Sequence, residues 1–220
     1  MKVLQLNSIL LGFLFLLFSN FSIGQKKEYV WPHAEIISGD PLALQGKKHF
    51  SITYDYSGMI VEENETEEEY LQRKLGKYAN NSKKGDKIRS KWFDARKKFY
   101  EPAFEKYFNS TANSIGMVGV NDGSGAEVNL LVKTLWLYPG NSNIFFQKVA
   151  VVEAECTFTD YEGGEIVKYV VKYALSHIWS DFTFRQSSRI AQAYRKAAII
   201  LMGDVRKKII RREKKNRDKN

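Results

Sequence analysis

Three histidines, one cysteine and a few closely spaced acids are the first places to look for chemistry in this 220-residue chain. His33, His49 and His177 stand far apart, with no HxxxH, HxH or CxxC neighbour to complete a zinc or iron site. Cys156 is the single cysteine, so it has no disulfide partner, and nothing adjacent would lower its pKa towards a reactive thiolate. Ser176, His177 and Asp181 have the residue types of a hydrolytic triad, but an adjacent serine and histidine cannot supply its geometry. Glu153 and Glu155, with Asp181 and His177, are the first suspects for a hydrolase or small-ligand enzyme whose site is built from distant residues. Glu62–Glu69 holds six glutamates but lacks the Gly and Asn spacing of a calcium loop. Asn121–Gly125 (NDGSG) has neither the ending of a phosphate loop nor an acidic ladder, and reads as a tight turn. No GxSxG elbow or Walker loop occurs. The expectation is a chain with no catalytic residues, no cofactor and no metal.

What would position these side chains is a run of strands between Ala126 and Ser176. Ala126–Leu137 alternates Val128, Leu130, Val132, Thr134 and Trp136 against a mixed second set, the period of a strand with one buried face. Pro139–Asn143 is a turn cluster. Gln147–Asp160 sends Ala150, Val152, Ala154, Cys156 and Phe158 one way. Glu165–Ser176 sends Val167, Tyr169, Val171, Tyr173 and Leu175 one way, and Gly163-Gly164 joins the two runs as a hairpin. In that register Glu153 and Glu155 share a wet face with Lys168 and Lys172 and pair with them across the strands.

Around this core, Gln25–Lys47 reads as an extended lead-in and His49–Val61 as a first strand, with Gly58 marking a bend. Thr66 and Glu69 form a capping box that opens a helix over Glu67–Ala79. Asn80–Gly85 is a loop and Asp86 caps a second helix, its inward stripe being Ile88, Trp92, Ala95 and Phe99. Pro102 breaks or kinks it near Tyr100, after which Ala103, Phe104, Tyr107 and Phe108 make another stripe. Ile115–Val120 is a short strand, and Ile178–Arg185 an aromatic bend or edge. Ser187 or Ser188 caps the last helix, Arg189–Ile210, whose inward side is Ile190, Ala193, Ala197, Ile200, Leu201 and Val205. The architecture expected is α+β: a small antiparallel sheet of four to five strands with two to four helices mainly on one face.

The two ends differ in kind. Lys2, the apolar run Ile9–Phe18 and the small residues Ser22 and Gly24 make residues 1–24 a secretory signal peptide, cleaved before Gln25. Residues 25–205 then form a single domain and 206–220 a basic, disordered tail. That tail holds +7 of the formal +9, and with Lys2 in the leader the body Gln25–Val205 keeps only +1. The charge therefore belongs to a tail rather than a groove, which argues against nucleic acid as a partner. It leaves open peripheral contact with an anionic membrane through Arg206, Lys207, Lys208, Arg211, Arg212, Lys214 and Lys215.

The order HFSITYDYSGM, acidic link, helix, WFDARKKFYEPAFEKYFN, LWLYPGNSN, hairpin and RIAQAYRKAAI resembles a family of exported proteins of the Gram-negative cell envelope, over about residues 40–210. That resemblance implies a periplasmic or outer-membrane-peripheral protein and brings no catalytic residues. The resulting expectation is a non-enzymatic module that binds an envelope protein or other envelope component. Tyr29, Trp31, Trp179 and Phe182 are its candidate exposed contacts.

Overall fold

The computed structural model describes residues 31–120, 125–142, 147–176 and 185–218. The leader, Tyr29, residues 121–124 of the NDGSG turn, His177, Trp179, Asp181 and Phe182 lie outside the described residues. The chain begins with β1 (His33–Gly39), a 3-10 turn (Pro41–Leu44), β2 (His49–Asp55), β3 (Ile60–Val61) and β4 (Glu65–Thr66). Helices α1 (Glu67–Gly76) and α2 (Ser82–Ala95), a π turn (Arg96–Tyr100), α3 (Glu101–Ala112) and β5 (Val118–Val120) follow. The remainder is β6 (Val128–Tyr138), β7 (Asn141–Ser142), β8 (Gln147–Lys148), β9 (Val151–Asp160), β10 (Glu165–Leu175) and α4 (Gln186–Arg217).

Apolar alternation builds the sheet as expected, but the sheet is larger and mixed. It has eight strands with the main order β1-β10-β9-β6-β2-β5. Pairing is antiparallel from β1 to β6 and parallel from β6 through β2 to β5, with β3 also parallel to β6. The class α+β stands; the expectation of four to five antiparallel strands does not. Parallel neighbours need a long crossover, here the helical stretch between β2 and β6, and a pattern of adjacent runs does not reveal it. The supposed lead-in contains β1. Its Pro32, Gly39 and Pro41 punctuate the strand's two ends rather than interrupt it. Gly39 has φ +78, and a Cβ there would lie 2.2 Å from the Ile166 carbonyl oxygen, so only glycine lets the two backbones approach.

One face of the sheet carries α3 and α4 over a continuous core. Phe50 meets Phe108 at 5.9 Å and Phe158 edge-on at 6.1 Å, while Phe104 stacks on Phe108. All four rings are fully buried, each worth about 1.5–3 kcal/mol of transfer free energy. Ala193, Ala197 and Ala198 on α4 are equally buried, and their small size lets the helix sit close to β9 and β10.

The opposite face is wet, as the alternation implies, yet its ion pairs differ from expectation. Lys172 meets Glu35 of β1 at 2.9 Å and Lys168 meets Glu165 at 3.3 Å, so neither pairs with Glu153 or Glu155. The physical reason is register. Glu155 lies opposite Val170 and Lys133, and the edge strand β1 supplies the carboxylate for Lys172.

Three local irregularities rotate side chains away from a simple period. In β10 the register slips between Val171 and Ala174, with Tyr173 at φ +52, so Ala174 is buried and Leu175 faces water. In β6 a slip between Thr134 and Trp136 turns Leu137 inward instead of Trp136. Between α2 and α3, Pro102 lacks an N–H, and the ladder passes through a π turn in which the Glu101 N–H donates to the Arg96 carbonyl. The wider turn shifts the phase, so Tyr100 is buried and Phe99 is 44 % exposed.

Helix ends follow local chemistry in some places and not in others. The Thr66–Glu69 capping box is present, though its helix closes at Gly76 rather than Ala79. α2 starts at Ser82, capped by the Asn81 side chain on the Lys84 N–H, so Asp86 lies inside the helix. α4 starts at Gln186 with no side-chain cap from Ser187 or Ser188. Its far end corrects the expectation of a disordered tail from Arg206: the helix runs on to Arg217. Basic residues in its last turn suit the negative end of the helix dipole.

Candidate functional site

Five of the six glutamates of Glu62–Glu69 serve as joints. Arg73 holds Glu62 and Glu65, each at 2.6 Å, and Arg89 holds Glu68 at 2.5 Å. Glu67 accepts from Trp92 Nε1 at 2.6 Å and from Arg96, while Glu69 closes the capping box. The run therefore fastens α1 to α2 and the π turn. Glu62, at φ +55, also accepts from Trp136 Nε1 through its carbonyl. A polar groove of about 1050 Å³ opens beside it, lined by Glu62, Glu65, Arg73, Lys74, Tyr138 and Lys148.

Beside the π turn lies a buried chain of hydroxyls. Thr134 Oγ1 and Tyr194 Oη are 2.5 Å apart, and the Tyr194 ring meets the Tyr56 ring at 6.4 Å. Tyr56 donates to Glu101 Oε1 at 3.4 Å, and Tyr54 donates to the Glu101 carbonyl and to Glu105. Arg96 lies 4.2 Å from the Tyr56 ring centre, and Tyr100 stacks on Tyr194 at 5.4 Å. Partial burial raises the Glu101 and Glu105 carboxyls above the ordinary carboxylate range, with the neighbouring Glu101 charge adding to the rise at Glu105. These groups join β2, β6, α3 and α4.

Of the suspected hydrolytic groups, Glu153 and Glu155 lie among the described residues and His177 and Asp181 lie outside them. Glu153 and Glu155 sit half-buried on the outer face of β9. Desolvation raises the Glu153 carboxyl, which also interacts with the Tyr173 backbone. Cys156 is fully buried and desolvation pushes its thiol up, the opposite of activation. Among the described residues no three His, Cys, Asp or Glu side chains group as a metal site, and no helix is long and apolar enough to cross a membrane.

Of the aromatic contacts expected, Trp31 is described and is 77 % exposed, just ahead of β1. The basic residues make the larger surface. From Ile210 to Asp218 every residue of α4 and its cap is exposed. Helical geometry sorts them: at about 100° per residue, Lys207, Arg211, Lys214 and Lys215 fall within an arc of about 100°. Ile209, Glu213 and Asn216 fall on the opposite side, continuous with the buried stripe. Glu213 accepts from Gln45 Nε2 at 3.2 Å and so faces the body, while Asp218 caps the helix end. Lys208 is committed elsewhere, bonded at 2.7 Å to Asp204, which Tyr169 also holds. Among the described residues the four cations of the solvent-side arc have no ion-pair partner.

No family model and no curated protein matches the chain. Solved structures similar to it include two of one protein. The PelC dodecamer from Paraburkholderia phytofirmans is 14 % identical with a TM-score of 0.36, covering 76 % of this chain and 97 % of that one. A dodecamer of a single-substitution PelC variant from the same organism is 14 % identical with a TM-score of 0.34, covering 74 % and 97 %. At those values the likeness assigns no activity.

Proposed function

We propose that this chain is a non-enzymatic exported protein of the Gram-negative cell envelope that binds another envelope component. The observation that carries the reading is the basic end of α4. A helix anchored in the core at Ile190, Leu201 and Ile209 carries the exposed residues 210–217 beyond that anchor, while the body is almost neutral. A concentration of exposed cations at the end of a helix on a nearly neutral body is a contact surface for something anionic. Export is supported by Lys2, Ile9–Phe18 and the small residues before Gln25. Trp31, exposed beside β1, is a second contact on the same body.

Cell fractionation with mass measurement of the recovered chain tests the reading. The expected result is a chain beginning at Gln25 in the periplasmic or outer-membrane fraction. An intact Met1 terminus in the cytoplasm would overturn it.

A further inference from the structure

We infer that Lys207, Arg211, Lys214 and Lys215 form a docking face for the surface of an anionic phospholipid bilayer, an inference that rests on the envelope reading above. The four cations repeat at spacings of four and three residues, and one row of them runs about 12 Å along the helix axis. Each is exposed; of the two acids nearby, Glu213 is turned to Gln45 on the body side, and Asp218 caps the helix beyond Lys215 with no ion pair to any of the four among the described residues. Lys207 and Arg211, and Arg211 and Lys215, stand one turn apart as like charges, an arrangement that repels in isolation and is relieved against a negative surface. Ile210, 40 % exposed, lies at the edge of the row and offers an apolar contact at headgroup depth.

The geometry favours a bilayer over a nucleic acid. The row lies on one side of a single helix, with no aromatic residue along Arg206–Arg217 on which a base could stack. Lys208 belongs to the Asp204 pair and is outside the docking face.

The test is co-sedimentation of the purified chain with vesicles of phosphatidylcholine alone, and of phosphatidylcholine mixed equally with phosphatidylglycerol. Binding is expected to the anionic vesicles alone and to weaken as salt is added. Each basic residue near such a surface contributes about 1 kcal/mol, or about five-fold in affinity. Lys207→Gln, Arg211→Gln, Lys214→Gln and Lys215→Gln together are therefore expected to weaken binding by about 10²-fold or more. Glutamine keeps helix propensity close to that of lysine and arginine, so circular dichroism should be unchanged. The matched control changes four exposed lysines of α2, Lys83→Gln, Lys84→Gln, Lys87→Gln and Lys91→Gln, for the same loss of charge.

Retained binding by the α2 variant and lost binding by the α4 variant support the inference. It is overturned if both variants weaken equally, if the α4 variant binds as the parent does, or if neutral vesicles bind equally well. Tighter binding to duplex DNA than to anionic vesicles would also overturn it. A chain retained in the cytoplasm yet bound to anionic vesicles would refute the envelope reading while leaving this surface in place.

Discussion

Tyr194 carries the hydroxyl that ties α4 to the sheet, and Tyr194→Phe removes that oxygen while leaving the ring stacked on Tyr100. Thr134, 1 % exposed, then keeps a buried hydroxyl without the Tyr194 oxygen that stood 2.5 Å away. A buried polar group left without its partner costs about 1–3 kcal/mol. Tyr56 keeps its bond to Glu101 at 3.4 Å, so the cost is confined mainly to Thr134. The expected destabilisation is about 1–3 kcal/mol, with the urea midpoint lowered and the m value unchanged. For a domain of this size each kcal/mol moves Tm by roughly 2–4 °C. Thr134→Val is expected to cost a similar amount, because it leaves the fully buried Tyr194 hydroxyl without that partner in turn. The double variant replaces both hydroxyls with apolar groups, so its loss should fall short of the two single losses added together, by about 1 kcal/mol. A Tyr194→Phe midpoint equal to that of the parent, or strict additivity in the cycle, would refute the account of the hydroxyl chain as a structural joint.

Three further outcomes follow from the same geometry. Burial raises the folded Glu105 carboxyl above its unfolded value, so the native state holds the extra proton as pH climbs and stability falls from about pH 4.3 up through the folded pKa. Glu105→Gln, which keeps an acceptor for Tyr54, should raise the urea midpoint at pH 7 and flatten that slope; a lower midpoint at pH 7 would count against it. Gly39→Ala should cost about 2 kcal/mol or more, since positive φ and a 2.2 Å backbone approach act together. Gly58→Ala, with φ +69 and open space around its Cβ, should cost about 1 kcal/mol, and equal losses in thermal melts would disprove the role of the close approach. Cys156 should react with a thiol reagent only as fast as the domain unfolds; rapid labelling in native buffer would contradict its burial.

Legibility of the fold tracks the range of the forces involved. Ala150 to Phe158 can be placed inward because alternation is local, and Thr66–Glu69 can be identified as a cap because its bonds span three residues. The inward stripe of α4 follows in the same way from helical spacing. Phe99, Trp136, Tyr173 and Leu175 depart from their expected places because a π turn and two register slips each move the phase by a residue, and strand or helix period alone does not encode them. The π turn does leave a trace, in the break expected near Tyr100 from Pro102.

The sequence by itself determined the α+β class, the alternating core strands, the charge-neutral body and the concentration of cations after Val205, since all of these are matters of composition and short-range period. Only the tertiary structure decided that β2 and β5 run parallel to β6, that β1 closes the sheet edge, and that Glu35 rather than Glu153 or Glu155 meets Lys172. It also decided which cations of α4 face water, because Asp204 and Gln45 take Lys208 and Glu213 out of the basic surface. Such pairings join residues far apart in the chain or depend on which side of a helix the body covers, and no local preference specifies either.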